Sequence, residues 1–324
     1  MIKRALLVLL PFASPALAEG FSLVTPPIDC DLSGDACYIQ QYMDRDPGAG
    51  AVDYTCAGLS YDGHKGTDFA LPTLSDMAAG VAVVAAAPGT VAAVRDGMPD
   101  TGFTKDTAHT VAGRECGNGV LVRHTGGWET QYCHIRQGSV RVEAGMKVDA
   151  GTPLGLVGQS GRAQFPHVHL SVRKDGRQID PFDPDGTLTC GAPGDSTLWQ
   201  DPPAYQPGGL IDIGLADAIP DYSAVKAGTA ARNVLSPDAP ALVIFAYAFG
   251  TRKGDVFDLR IKGPEGPFID QRVTVKRTQA QAYRAVGKRR RSAPWPAGQY
   301  EGTAALVRDG EVINSLRTTV IVSD

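Results

Sequence analysis

The chain has 324 residues, of which 43% are hydrophobic and 20% charged, with 38 glycines, 23 prolines and a formal net charge of -4. This composition is typical of a folded protein and excludes a low-complexity or disordered chain. The length is enough for about two domains. The abundance of Val, Thr, Gly and Pro favours strands and turns over a bundle of helices.

The first eighteen residues have the pattern of a secretory signal peptide. Lys3 and Arg4 precede an apolar run from Ala5 to Phe12, and Ala16-Leu17-Ala18 provides a small-residue cleavage site. The apolar run is shorter than the roughly 20 residues that span a bilayer. We therefore expect an exported protein, without a membrane span, whose mature form begins near Glu19.

The cysteines agree with export to an oxidising compartment. The six cysteines lie in the first two thirds of the mature sequence: Cys30, Cys37, Cys56, Cys116, Cys133 and Cys190. An even number of cysteines without C-x-x-C pairs predicts disulfides and not zinc fingers. Six cysteines allow 15 pairings. Hairpin pairing of the flanking strands favours one of them, Cys116 with Cys133.

Strand patterns dominate up to about residue 200. Short β-branched runs alternate with glycine-rich turns, at 89–94, 119–124, 130–134 and 167–172. A single short helix is predicted, over 37–44 before Asp46-Pro47-Gly48. The stretch from Asp96 to Asn118 looks like a long insertion between strands, and such loops are often functional.

Charge and cysteine usage both change near residue 200. Residues 19–222 carry 13 basic and 26 acidic residues, whereas residues 223–324 carry 16 and 9. A Pro/Gly-rich stretch at 201–209 marks a boundary. We predict a domain over 19–200, a linker over 201–222 and a basic β-sandwich over 223–324, possessing an immunoglobulin-like arrangement. Its predicted strands are 241–249, 256–261, 268–275, 299–307 and 312–322, with a hairpin turn at Arg308-Asp309-Gly310-Glu311.

Four of the six histidines fall in three short motifs. They are His64-Lys65-Gly66-Thr67-Asp68, Tyr132-Cys133-His134 and His167-Val168-His169. Histidine and aspartate are ordinary zinc ligands, and a catalytic zinc takes three protein ligands and leaves one position open. His64 and Asp68 with one distant histidine would supply such a set. His109 and His124 match no motif and are interpreted as ordinary structural residues.

Strand geometry separates the roles within these motifs. Residues i and i+2 of a strand share a face, so His167 and His169 point into one site. A histidine beside a bound zinc is placed to act as a general base or to stabilise an oxyanion, and His134 could be a second such group. The same alternation predicts that the Cys133 thiol points away from the site.

The three motifs, in this order, resemble those of the LytM/lysostaphin-type zinc metallopeptidases, over roughly residues 55–185. The resemblance includes Pro88-Gly89-Thr90-Val91, the 145–155 stretch and Gly158-Gln159-Ser160-Gly161. It implies an all-β fold with an antiparallel metallopeptidase sheet, and one zinc ion. The implied zinc ligands are His64, Asp68 and His169, and the implied catalytic residues are His134 and His167.

The resemblance also implies the activity. It predicts an exported zinc endopeptidase that cleaves peptide cross-links of peptidoglycan by zinc-activated water, in a Gram-negative periplasm. The bond could be Gly-Gly or D-Ala to diaminopimelate. Two alternatives are a non-catalytic regulator of cell-wall amidases and a wall-binding module with a structural metal.

Two departures from the family pattern, Phe165 before Pro166 and Leu170-Ser171 after His169, are expected to touch the cleft wall and not the ligands. The basic run Lys288-Arg289-Arg290-Arg291 is either a solvated loop or a patch that binds an anionic wall polymer or an acidic protein partner. Nucleic acid is not an expected partner of an exported chain.

Overall fold

The computed structural model describes residues 20–32, 36–186 and 196–323. The predicted signal peptide and Cys190 lie outside the described residues. None of the described helices is both long and apolar enough to cross a membrane.

The first half of the chain is built on one eight-stranded antiparallel sheet. The strands of this half are β1 (Tyr38–Gln41), β2 (Thr67–Ala70), β3 (Ala82–Val84), β4 (Gly89–Arg95), β5 (Asn118–Arg123), β6 (Trp128–Ile135), β7 (Lys147–Val148), β8 (Pro153–Leu156), β9 (His167–Lys174) and β10 (Arg177–Ile179). The order in the large sheet is β1-β2-β9-β6-β5-β4-β7, with β10 paired to β9, while β3 and β8 form a separate ribbon. The four strands predicted here from β-branched runs are confirmed as β4, β5, β6 and β9.

Two short helices interrupt this half, α1 (Leu74–Ala79) and α2 (Ala108–Val111). The helix predicted over 37–44 is wrong. Tyr38–Gln41 is instead β1, fully buried and paired with β2. A helix this short has little stability of its own, so pairing with a neighbouring strand decides the conformation.

The second half contains one helix, α3 (Tyr222–Ala227), and two further sheets. Its strands are β11 (Gly209–Ala216), β12 (Val234–Leu235), β13 (Ala241–Thr251), β14 (Val256–Gly263), β15 (Gly266–Thr274), β16 (Gln279–Arg289), β17 (Gly298–Arg308) and β18 (Glu311–Val322). The sheets have the orders β11-β13-β16 and β12-β18-β17-β14-β15.

These two sheets pack face to face around one core, as expected for a β-sandwich. The five strands predicted for this half are present, and the turn between Arg308 and Glu311 joins β17 to β18 as predicted. Three strands were not predicted: β11, which lies inside the predicted linker, the two-residue strand β12, and β16, which ends in the basic run. The immunoglobulin-like arrangement and the domain boundaries stay predictions.

Strand β13 joins the two halves, and each of its eleven residues is buried. Leu242, Ile244, Ala246 and Ala248 pack into the sandwich core. The alternate residues Phe245, Tyr247 and Phe249 pack into the core of the first half. Because successive side chains of a strand point to opposite faces, β13 is apolar on both sides and the three-stranded sheet lies between two cores.

The disulfides fit the prediction for an oxidising compartment. Cys116 is bonded to Cys133, which confirms the predicted pairing, and Cys30 is bonded to Cys37. Cys56 is disulfide-bonded as well.

Candidate metal centre

The candidate metal centre lies where β2 and β9 pair at one face of the large sheet. Asp68 of β2 lies directly opposite His169 of β9, and Ala70 lies opposite His167. Directly opposed residues of an antiparallel pair share a face, with their Cβ atoms about 5 Å apart. The register therefore brings together two residues that are 101 positions apart in the sequence.

His64 joins them from the turn that precedes β2. Its backbone carbonyl accepts a hydrogen bond from the Asp44 N–H at 2.9 Å, and its Nδ1 donates to the Tyr42 carbonyl at 2.6 Å. Because Nδ1 carries the proton, Nε2 presents a lone pair to the centre. Tyr61, with 52% of its surface exposed, stacks on the outer side of the His64 ring.

The three atoms that could bind a metal are close together. His64 Nε2 lies 3.2 Å from both Asp68 Oδ1 and His169 Nδ1, and His169 Nδ1 lies 2.7 Å from Asp68 Oδ1. Ligand atoms about 2.1 Å from a tetrahedral zinc ion are about 3.4 Å apart. The donor types and two of the three separations fit such an ion, and these are the only residues in the described ranges that form a group of this kind.

The tautomer of His169 is fixed by a hydrogen bond at its other ring nitrogen. Its Nε2 lies 3.0 Å from Ser171 Oγ, whose hydroxyl donates to the Lys65 carbonyl at 3.1 Å. Since the hydroxyl hydrogen is used, Ser171 accepts from His169 Nε2–H, and Nδ1 keeps its lone pair for the centre. The expectation that the Leu170-Ser171 departure touches only the cleft wall is therefore wrong for Ser171.

His134 reaches the same centre through a bulge. Asn118 pairs with Ile135 and Gly119 with Cys133, so His134 is left without a partner across the ladder. Its φ angle is 65°, and its N–H donates to the Cys116 carbonyl at 2.8 Å. A non-glycine residue in this region costs about 1–3 kcal/mol, and such positions cluster at functional sites.

The bulge also corrects the expectation for Cys133. Cys133 lies directly opposite His169 in the ladder and so shares the face of the site. Simple alternation with His134 does not hold across a bulge. The Cys133 sulfur is withheld from the centre by its bond to Cys116.

His134 and His167 present matching nitrogens. His134 Nδ1 and His167 Nδ1 donate to the carbonyls of Ser160 and Phe165, both at 2.8 Å, so each Nε2 has its lone pair available. The two ring centroids are 4.6 Å apart. His167 Nε2 lies 3.5 Å from Asp68 Oδ1.

Burial and charge shift the pKa values in opposite directions. Burial alone raises the pKa of Asp68, but His64, His167 and His169 hold it well below its usual range. Burial lowers the pKa of His64, but Asp68 outweighs it and the net shift is upward. Burial, with the other histidines, holds the pKa of His134 well below 6.5, and burial lowers that of His167.

The structure thus brings the five predicted site residues together: Asp68, His134, His167 and His169 line one cleft, and His64 lies beside Asp68 and His169. His124 lies elsewhere and is held by Pro88 and Thr130, in agreement with a structural role, and His109 is an exposed residue of α2. Phe165 lines the cleft as expected and also stacks on His167, with ring centroids 4.4 Å apart.

Other cleft residues were not singled out from the sequence. The further lining residues are Gln41, Ser60, Tyr61, Phe103, Arg162, Gln164 and Ala280. Arg162 directly follows the Gly158–Gly161 motif, a signal that could have pointed to it. Phe103 comes from the 96–118 insertion and Ala280 from β16, and no local pattern marks either of them.

The insertion is anchored to the loops that carry the site. Asp100 accepts hydrogen bonds from the backbone N–H groups of Gln137 and Gln159, at 2.9 and 2.7 Å. Gln159 adjoins Ser160, whose carbonyl holds His134. The insertion is thereby fixed both to the segment that follows His134 and to the loop whose carbonyl binds the His134 ring.

Fold and site together define a class of protein: an antiparallel β domain with a His–Asp–His cluster suited to a metal ion and two further histidines beside it. Residues 62–181 match the model of Peptidase family M23, and the chain thus carries an M23 peptidase domain. All five predicted site residues lie inside the matched segment.

Similar proteins were found among curated sequences. The chain is 31% identical over 117 residues to a peptidoglycan DD-endopeptidase, ShyA, of Vibrio cholerae, covering 36% of this chain and 22% of that protein. It is 38% identical over 65 residues to the DD-carboxypeptidase/endopeptidase Mpg of Neisseria meningitidis, covering 20% of this chain and 14% of that protein. The matches therefore span less than a quarter of the length of these relatives.

Among solved structures, a mutant catalytic domain of the prophage-encoded M23 protein EnpA from Enterococcus faecalis matches with 24% identity and a TM-score of 0.30. The match covers 55% of this chain and 98% of that one.

Proposed function

We propose that this protein is an exported zinc-dependent endopeptidase that hydrolyses peptide cross-links of peptidoglycan. The observation that carries the proposal is the convergence of His64, Asp68 and His169 on one point, with His134 and His167 beside it. The similarity to a peptidoglycan DD-endopeptidase supports the substrate class.

His64, Asp68 and His169 would hold the metal. Each histidine has its other nitrogen committed to an oxygen of the protein, so both rings are fixed with the required lone pair inward. A zinc ion at this position supplies a Lewis acid that polarises the scissile carbonyl and makes water a stronger acid.

His134 and His167 are proposed as the catalytic residues. Both are buried and hold Nε2 available toward the cleft, so either can accept a proton from the attacking water and return it to the leaving amine. Once protonated, either can also donate a hydrogen bond to the oxyanion of the tetrahedral intermediate. Fixing both rings by backbone carbonyls reduces the reorganisation that these steps require.

Export and wall attachment complete the proposal. The signal-peptide pattern and the disulfides support a Gram-negative periplasm. On the sandwich, Lys288, Arg289 and Arg291 flank a groove with Phe268 and Trp295. We propose that this groove holds an anionic wall polymer near the acidic first half of the chain.

The test is mass spectrometry of fragments released from purified peptidoglycan by the mature protein, with His64→Ala as control. Loss of cross-linked muropeptides with the unmutated protein alone is expected, and the fragments identify the bond. If the unmutated protein binds zinc and releases nothing, the enzyme proposal fails and the non-catalytic regulator of amidases replaces it.

A further inference from the structure

Arg162 places a cation in the cleft beside the His–Asp–His cluster. It lines the same cleft as Asp68, His134, His167 and His169. The cleft is small, with a volume of about 340 Å³. A substrate whose scissile bond meets the histidines therefore passes close to the guanidinium.

The backbone of Arg162 is fixed by the insertion. Its N–H donates to the Glu115 carbonyl at 2.8 Å. The preceding Gly161 has φ 76°, and a Cβ there would lie 2.4 Å from the same carbonyl oxygen, so the turn requires glycine to pack this closely.

The side chain is oriented as well. The guanidinium carbon lies 5.4 Å from the centroid of the Phe103 ring, within the range of a cation–π contact. Phe103 is itself anchored, because its N–H donates to the Ala163 carbonyl at 2.7 Å. Stacking of this kind reduces the conformational entropy that a long side chain loses when it binds a ligand.

No acidic residue in the described part of the chain forms an ion pair with Arg162. Asp68, in the same cleft, is surrounded by three histidines. Glu115 is exposed, and its carboxylate accepts a hydrogen bond from the Gly113 N–H at 2.8 Å. A planar guanidinium with unused donors matches a carboxylate in a two-pronged pair.

Uncharged residues supply another part of the cleft lining, and one of them comes from the sandwich. These residues are Gln41, Ser60 and, from the sandwich, Ala280. The Ala280 carbonyl accepts from Gln40 Nε2 at 3.0 Å, and Gln281 Nε2 donates to Gln40 Oε1 at 3.1 Å, so β16 is held against β1. Among the described residues that line the cleft, other than the proposed site residues, Arg162 is the one that carries a charge.

We propose that Arg162 is a specificity-determining residue that selects substrates bearing a carboxylate on a residue adjoining the scissile bond. The inference rests on the proposed function for the reaction and adds the chemical feature of the peptide that the cleft recognises. An amide at the same place would leave the guanidinium without its anionic partner.

The test uses two synthetic peptides that share one scissile bond and differ only in a carboxylate or a carboxamide on that residue. Binding is measured by calorimetry to zinc-loaded protein that carries both His134→Ala and His167→Ala, so that cleavage does not intervene and the three proposed zinc ligands are kept. This inactive protein is expected to bind the acid about tenfold more tightly than the amide, near the lower end of the coupling measured for close charge pairs across an interface. Adding Arg162→Gln is expected to bring the ratio to about one, and Arg162→Lys to leave part of it.

The matched control is Arg114→Gln. It removes a cation that belongs to the 96–118 insertion and lies outside the cleft lining. It is expected to keep the tenfold ratio. An unchanged ratio in the Arg162→Gln protein, or equal binding of the two peptides before that change, overturns the inference. Failure of the unmutated protein to cleave either peptide contradicts the proposed function and leaves the binding result to decide on Arg162.

Discussion

Ser171 Oγ lies 3.0 Å from His169 Nε2 and donates a hydrogen bond to the Lys65 carbonyl. This contact decides which nitrogen of His169 faces Asp68. A residue that is neither a proposed ligand nor part of the cleft lining thereby sets the protonation of a proposed ligand.

Ser171→Ala is expected to weaken zinc binding about 10- to 100-fold, because His169 loses the partner that fixes its ring and tautomer. A competition titration with a zinc chelator measures the dissociation constant. Ser171→Thr keeps the hydroxyl and is the control. Equal affinity in the Ala variant and the unmutated protein would show that the hydrogen bond does not position His169.

Removing the Cys116–Cys133 disulfide, by changing both residues to serine, is expected to lower kcat by about tenfold or more with zinc content unchanged. The disulfide adjoins the bulge at His134, whose N–H donates to the Cys116 carbonyl. The strained backbone conformation of His134 persists only if the surrounding structure holds it. Peptide hydrolysis is measured well below the melting temperature, because a disulfide also contributes about 2–4 kcal/mol of stability. The same double change at Cys30 and Cys37 is the control, and an equal loss of kcat there would argue for a general effect of stability.

Phe249→Ala is expected to lower the free energy of unfolding by about 3–5 kcal/mol. Phe249 is buried in the first-half core, and its ring centroid lies 4.5 Å from that of Tyr38. Urea unfolding can be followed at Trp199 in the first half and at Trp295 on the sandwich. Both signals are expected to shift together, since β13 belongs to both cores, whereas two separate transitions would show that the halves unfold independently.

Changing Lys288, Arg289 and Arg291 to glutamine is expected to reduce cosedimentation with purified peptidoglycan about tenfold at low salt. The groove loses these cations, and so loses its electrostatic attraction for an anionic wall polymer. The same attraction is screened at high ionic strength. The control changes Lys253, Lys276 and Arg277 to glutamine. These residues are also exposed, and their substitution removes the same charge from the same half of the chain. Equal losses in the two triple variants would assign binding to net charge and reject the groove.

Asp180→Asn is expected to stabilise the protein at pH 7.5 and to have a smaller effect below pH 5. Burial raises the pKa of Asp180 from 3.8 to about 6 in the folded state, and its Oδ2 has no hydrogen-bond partner. The folded state then binds the proton more tightly than the unfolded chain, so this group favours folding at low pH and loses that contribution as the pH rises through about 6. Urea unfolding at several pH values measures the difference, with exposed Asp106→Asn as control, and a pH-independent difference would contradict the assignment.

The sequence predicts the strands of the sheet and of the sandwich because alternation and turn residues are local signals. The same signals do not identify β1, whose four residues are fully buried. They also miss β11 and β16, where pairing with β13 outweighs the glycines, the proline-rich approach and the basic run.

The chemistry of the site is likewise present in the sequence, as residue types at recognisable spacings. His64, Asp68, His134, His167 and His169 stand out because histidine and aspartate carry metal and proton chemistry wherever they meet. What the sequence cannot supply is the distance between them.

Only the tertiary structure decides those distances. The register of β2 against β9 sets Asp68 opposite His169, and a bulge with a positive φ turns His134 into the same face. Phe103 meets Arg162 because the insertion folds back onto the loop before β9. These contacts join residues tens of positions apart, and long-range pairing depends on the packing of the whole chain and not on its local pattern.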